Sequence, residues 1–362
     1  MYLCSQTPKK LTIAILLCDR DFKYVPDLLQ SISENVHITY EVVLIDNRSE
    51  YINEPLDFKN FKYFKFGYNA RQLIGRKKAV ELSSGNYIWF VDADDQILPI
   101  ISDKQNLLEK NFDIISFNYF IDDTFSSNIS EDLVEENLLD KELLREIGVP
   151  LWNKWIKKSV LESVEQFVPD NESASASEDT VLVMGSLKYS KKLFKCGEVF
   201  YRFNAQRSMS AALCYKTVNE YERIIYGHTS AMKVMNTIFA DEEKKAFLFD
   251  DIMIEDCAFF INKLLYCDDT IIEDCVKLVS EYFSKSEIIK AYKKYVLYTK
   301  EWTKRKYIVV RNCFQKLFPK NTNDFIFINV IKDFIPNPDG SGEMKCIHTE
   351  RTELLPDFSS DY

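Results

Sequence analysis

The sequence predicts an α/β protein, a mainly parallel sheet flanked by helices, followed by a mainly helical C-terminal domain. Three observations lead there. Short apolar runs, at 11–17, 41–45 and 87–91, alternate with stretches of helical spacing. These runs are apolar throughout rather than on alternate residues, as strands covered on both faces are. Two of them stop at aspartate, Asp46 after the second and Asp92-Ala93-Asp94-Asp95 after Tyr87-Ile88-Trp89-Phe90-Val91. Parallel topology would bring both acidic ends to one edge.

In chain order, the strand at 11–17 runs into a loop, Cys18-Asp19-Arg20-Asp21, and a helix over 25–35 with Leu28, Leu29 and Ile32 on one face. The strand at 41–45 ends in Asp46-Asn47-Arg48-Ser49, and 63–66 is a short third strand. Asn69 opens a helix carrying Arg71, Arg76, Lys77 and Lys78, which Ser84-Gly85 stops. After the strand at 87–91 comes another at 113–120. The polar, acidic stretch 122–137 reads as a loop and the start of a helix. Pro150-Leu151-Trp152-Asn153-Lys154-Trp155 sets two tryptophans around an amide and a cation. Glu178-Asp179 precede a helix over 180–188, where a Ser N-cap with acids in the first turn is the ordinary explanation. Residues 1–215 form the expected first domain and 216–335 the helical one. A loosely held tail, 336–362, begins with Pro336-Asn337-Pro338-Asp339-Gly340-Ser341-Gly342.

The chain has 362 residues, 46% hydrophobic and 28% charged, as in a globular protein with a proper core. Its net charge of -10 argues against a nucleic-acid partner. Nine cysteines form no CxxC pair, which favours reduced thiols and a cytoplasmic location. No apolar run approaches the ~18 residues of a membrane span. Thr303–Lys320, TKRKYIVVRNCFQKLFPK, mixes cationic and apolar residues. Such a helix suits peripheral contact with the inner face of a membrane, or simply packs its apolar side on the protein.

Three carboxylates in four residues at a strand end repel one another and demand compensation. A divalent cation that itself holds a phosphate supplies it, and a solvated acidic turn is the plain alternative. Ligands of open α/β sheets sit beyond the carboxyl ends of the strands, where these residues fall. His37, His228 and His348 are isolated and suggest no metal site.

Together the strand–loop order, Asp-Asn-x-Ser, the Asn-x6-Arg helix, Gly-Asn-Tyr-Ile-x-Phe-x-Asp-x-Asp-Asp, Trp-Asn-Lys, Glu-Asp, Tyr-Arg and Arg-Ser-x-Ser resemble the inverting glycosyltransferases of family 2. The resemblance covers residues 9–212 and implies a GT-A fold, a bacterial surface-polysaccharide setting and a nucleotide-sugar donor. It implies that Asp46, with Asn47 and Ser49, meets the nucleotide, and that Asn69 and Arg76 frame the base and ribose side of its pocket. Asp92 would face the ribose or a metal-bound water, Asp94 would bind Mn2+ or Mg2+, and Asp95 would orient sugar hydroxyls. Asp179, beside Glu178, would be the general base. Trp152 and Lys154 would meet the acceptor or sugar, and Arg207 and Ser210 would close over the diphosphate. Expected partners are a nucleotide-sugar, UDP-linked by preference, and a growing surface glycan as acceptor, with a lipid-linked glycan one form of it. A nucleotidyltransferase would want glycines after the first strand, where Leu17-Cys18-Asp19-Arg20 has none. A non-catalytic scaffold is the other reading.

Overall fold

The computed structural model describes residues 10–17, 22–47, 61–100, 104, 106–126, 129–170, 177–205, 207, 215–241, 245–294, 304–320, 332–336 and 342–346. Contacts divide the chain into two compact units. The first holds Met1–Ala212 and Tyr226–Glu243, the second Leu213–Ile225 and Lys244–Tyr362.

The first unit is built on strands β1 (Leu11–Leu17), β2 (Tyr40–Asp46), β3 (Phe61–Lys65), β4 (Tyr87–Asp92), β5 (Gln96–Ile97), β6 (Ile114–Ile121), β7 (Thr124–Ser126), β8 (Leu133–Glu135), β9 (Lys154–Lys157) and β10 (Leu193–Phe203). Their order across the sheet is β3-β2-β1-β4-β9-β6-β10-β5, with β7 beside β6 and β8 beside β10. β1 pairs in parallel with β2 and with β4, and β2 pairs in parallel with β3. β9 is a short antiparallel insert between β4 and β6. β1 is buried almost throughout because parallel neighbours and helices enclose it.

Chain order turns back at β1: the chain goes out to β2 and β3, then returns to β4 on its other side. That is the switch point at which α/β sheets open a crevice. Register sets its acidic rim, because Leu17 pairs with Asp46 and Leu16 with Asp92.

Helices α1 (Val25–Asn35), α2 (Arg71–Leu82), α3 (Lys141–Ile147), α4 (Lys158–Glu165) and α5 (Glu178–Tyr189) belong to this unit. α2 lies close on β1, and a Cβ on Gly75 would meet Leu16 Cδ1 at 2.5 Å. Gly85 ends the same crossover against Thr12, where a Cβ would stand 2.7 Å from the Thr12 backbone nitrogen. Glu41, nearly buried, accepts from Thr12 Oγ1, Ser84 Oγ and the Gly85 N–H, tying β2 to this turn. The Asp113 carboxylate likewise accepts from the backbone of Lys191 and Lys192.

Two segments differ from expectation. Among its described residues the stretch 122–137 starts no helix; it supplies β7 and β8, and Leu133–Glu135 pairs antiparallel with Leu193–Lys195. Its polar side chains can stay wet because these strands are added at the sheet's margin. The other is the long strand β10, for which the sequence predicts no strand and which carries Phe200, Tyr201 and Phe203.

α6 (Val218–Ile238) begins in the second unit and ends in the first. The second unit continues with α7 (Lys245–Lys263), α8 (Ile272–Tyr282), α9 (Lys285–Lys294) and α10 (Lys304–Leu317), then a hairpin of β11 (Lys332–Pro336) and β12 (Gly342–Cys346). Val310, Cys313 and Phe314 of α10 are buried in that unit's own core, with Val309, Leu317 and Phe318 against it. The apolar side of this basic helix is therefore occupied by protein. Among the described residues, no helix is long and apolar enough to cross a membrane.

Candidate active site

The acidic turn after β4 is held by β10. Tyr201 donates its hydroxyl to Asp95 Oδ2 (2.6 Å) and accepts the Asp92 N–H (3.1 Å). The Asn204 N–H reaches Asp95 Oδ1 (2.7 Å), and its amide donates to the Asp94 carbonyl. Asp95 is 1% exposed, and burial, then Asp92's charge, pushes its carboxyl up to about 8. Both its oxygens are engaged, which makes it a clamp for the turn.

That clamp leaves Asp92 and Asp94 at the rim, both partly exposed. Burial raises the Asp94 carboxyl, opposed by its own backbone N–H and by the charge of Arg207. Arg207 stands over the Tyr24 ring (5.2 Å) and 3.6 Å from Asp27.

The second acidic pair opens α5. Arg76 of α2 is 5% exposed and extends a guanidinium to it: Nη2 lies 3.0 Å from Asp179 Oδ1, 3.3 Å from Glu178 Oε1 and 4.0 Å from Asp92 Oδ1. Its ring face contact is with Phe90, at 5.3 Å. Burial opposes the charge, yet Asp179, Glu178 and Asp92 outweigh it and hold Arg76 well above its ordinary range. Glu178 is buried, and desolvation followed by Asp179's charge pushes it up to about 7 against Arg76. Arg76 thus faces Glu178, Asp179 and, at 4.0 Å, Asp92. Asp179 also accepts the Leu151 N–H at Oδ2 (3.4 Å).

That amide belongs to a loop knotted by Lys154. The Lys154 ammonium donates to the carbonyls of Ile147 (2.9 Å) and Pro150 (2.8 Å) and to Asn153 Oδ1 (2.7 Å). It is 1% exposed, and burial pulls its pKa down to about 7 against Asp179. Its three donated hydrogen bonds hold the loop together. Trp152 is partly buried, stacked on Tyr201 (5.0 Å) and Phe203 (5.7 Å), with its carbonyl taking the Trp89 N–H. Trp155 is core.

At the end of β2, Asp46 is covered: it accepts the Tyr63 hydroxyl (2.6 Å) beside Lys65. A nucleotide reaching it would have to displace that hydroxyl. Asn47 accepts the Ala70 N–H (2.6 Å) and donates to Asn69, which caps Arg71. Asn47 and Asn69 therefore fasten β2 to α2, with Asn69 exposed. Ser49 and Ser210 lie outside the described residues, as does the loop 18–21.

The sequence offers Tyr201 only within the Tyr-Arg motif, without a role, and gives no local signal for Asn204 or for the Arg76 bridge. A cavity of about 390 Å³ beside Gly85, Tyr87, Lys157 and Lys158 lies at the opposite, N-terminal end of β4. Its lysines already meet Asp113 and the Ser83 carbonyl, which leaves it little to offer a ligand.

Whether the acidic rim suits a divalent cation turns on its donors. Asp94 and Asp92 offer carboxylate oxygens, and among the described residues no group of three or more His, Cys, Asp or Glu forms a closed cage. One or two carboxylates at an open edge fit a hard cation that shares its remaining positions with water and a ligand's phosphates.

Residues 12–155 match the sequence profile of Glycosyl transferase family 2. The match takes in β1 to β4, the acidic turn and Trp152 to Lys154, and stops before Glu178-Asp179. With the strand order above, it defines a GT-A-like α/β fold with further helices toward the C-terminus. Among solved structures, S. aureus TarS residues 1–349 is similar at 15% identity and TM-score 0.47, over 93% of this chain and 96% of that one. The same fragment in complex with UDP-GlcNAc stands at 14% and 0.48, over 93% and 97%. At these values the likeness says nothing of substrate. Comparison with curated proteins finds no match.

Proposed function

We propose that the protein is an inverting, metal-dependent glycosyltransferase that moves a sugar from a nucleotide-sugar, UDP-linked, to a hydroxyl of a growing surface glycan such as lipooligosaccharide or capsule. The observation that carries this reading is the shared guanidinium. Asp92 of the acidic rim and Asp179 of α5 both contact Arg76 Nη2, so a donor held at the rim has a carboxylate within reach.

In this mechanism the acceptor oxygen attacks the anomeric carbon as the bond to the nucleoside diphosphate breaks, and the leaving group takes that electron pair. Asp179 accepts the acceptor's proton, with Arg76 and the Leu151 N–H fixing its orientation. Asp94 and Asp92 would hold Mn2+ or Mg2+, whose chemistry is to neutralise charge on the departing phosphates. Arg207, beside Asp94, adds a cation on the diphosphate side. Trp152, backed by Tyr201 and Phe203, offers an aromatic surface to a sugar ring.

The test is release of UDP from a panel of UDP-sugars with Mn2+ and a glycan acceptor, before and after EDTA. Metal-dependent turnover of one donor supports the reading. Tight nucleotide binding without turnover of any donor favours the scaffold instead.

A further inference from the structure

Ser177 occupies the N-cap position of α5 without capping it. An ordinary N-cap serine has extended backbone and offers its oxygen to the helix's free N–H groups. Here Ser177 has φ 59° and ψ 17°, the left-handed region, and makes no side-chain cap bond. Its hydroxyl instead meets Nδ1 of His228, 2.8 Å away. His228 is fully buried, and burial lowers its pKa to about 4, so a neutral ring faces Ser177 at ordinary pH. The segment that carries it, Tyr226–Glu243, packs as part of the first unit although it comes after the rest of that unit in sequence.

A left-handed serine is strained and persists only where its surroundings enforce it. The next two residues are Glu178 and Asp179. We propose that His228 is a positioning residue for the base: by drawing the Ser177 hydroxyl away from the helix end, it fixes the left-handed start of α5. That start aims Asp179 at the Arg76 guanidinium and the Leu151 N–H. The inference rests on the glycosyltransferase reading, since it names what holds the group assigned there as base.

The test compares kcat, donor KM and thermal midpoint for wild type, Ser177→Ala, His228→Asn and His228→Gln, with Asp179→Asn as the reference for a lost base. Asparagine's amide sits where Nδ1 of histidine does, and glutamine's sits nearer Nε2. Ser177→Ala and His228→Gln should lower kcat by on the order of 10- to 100-fold at nearly unchanged donor KM. His228→Asn should recover most of that loss, and hydrogen exchange at the 178–181 amides should rise in the impaired variants alone. Should His228→Gln fail to fold, Ser177→Ala and His228→Asn still decide the matter. Wild-type kcat in Ser177→Ala, or equal impairment in the asparagine and glutamine variants, overturns the role of His228 while leaving the function standing. Absence of transfer by wild type, or full transfer by Asp179→Asn, overturns the function and this inference with it.

Discussion

Arg76 Nη2 lies 3.0 Å from Asp179 Oδ1, and the same nitrogen lies 4.0 Å from Asp92 Oδ1. One buried cation on α2 thereby joins the carboxylates that end β4 to those that begin α5. Without it, three acids would crowd a poorly solvated site and repel one another. Arg76→Met should destabilise the protein by about 3–5 kcal/mol, the cost of leaving buried charge uncompensated. Arg76→Lys should restore part of that stability but not transfer, since an ammonium cannot span the same fork. Urea unfolding with parallel kinetics reads both effects.

Glu178 makes stability depend on pH in a defined direction. Its folded pKa is raised from 4.5 to about 7, so the stability it contributes is fully present below about pH 4.5 and lost as pH rises through about 7. Glu178→Gln should remove that slope. Asp95 and Glu165 are pushed the same way, so the difference between wild type and variant is the quantity to measure. Denaturant midpoints at pH 5 and pH 8 suffice, and the variant should gain relative to wild type at the higher pH.

The Tyr201 hydroxyl joins Asp95 to the Asp92 backbone, so its loss should loosen the acidic turn. Tyr201→Phe leaves a buried carboxylate oxygen and an N–H short of a partner, a cost of about 1–3 kcal/mol. Donor KM should rise with it, because Asp92 and Asp94 ride on that turn. Thermal melts and donor titration check the two halves separately.

Lys154→Met should be destabilising even though it fills the same space. The carbonyls of Ile147 and Pro150 would lose a buried donor. Each lost partner costs about 1–3 kcal/mol. Arginine should not rescue it, as its larger planar head does not fit a pocket shaped for an ammonium. A melting temperature for each variant decides this.

What the sequence reveals here follows from range of contact. The ends of β2 and β4 are legible because an apolar run that halts at aspartate marks both a strand and its exit, and parallel pairing then sets Asp46 and Asp92 on one edge. Asp179 is visible as an acid at a helix start. Its partners are not: Arg76 stands 102 residues from Glu178, Tyr201 stands 106 from Asp95, and Ser177 stands 51 from His228. Nothing in local spacing encodes those meetings. Asp95 and Lys154 were readable as polar residues near a site, whereas their burial depends on β10 and on the loop before β9. The strands β7 and β8 stayed hidden because pairing at a sheet margin tolerates the charges that read as loop.

The acidic rim and Asp179 carry two separable tasks in the proposed mechanism, holding metal and donor and taking the proton. Calorimetry of UDP with Mn2+, alongside transfer kinetics, for wild type, Asp94→Ala and Asp179→Asn separates them. Asp94→Ala should lose Mn2+-dependent UDP binding. Asp179→Asn should bind UDP as wild type does while transfer drops by on the order of 10²–10⁴. Wild-type binding and turnover in both variants would refute the assignment of both tasks.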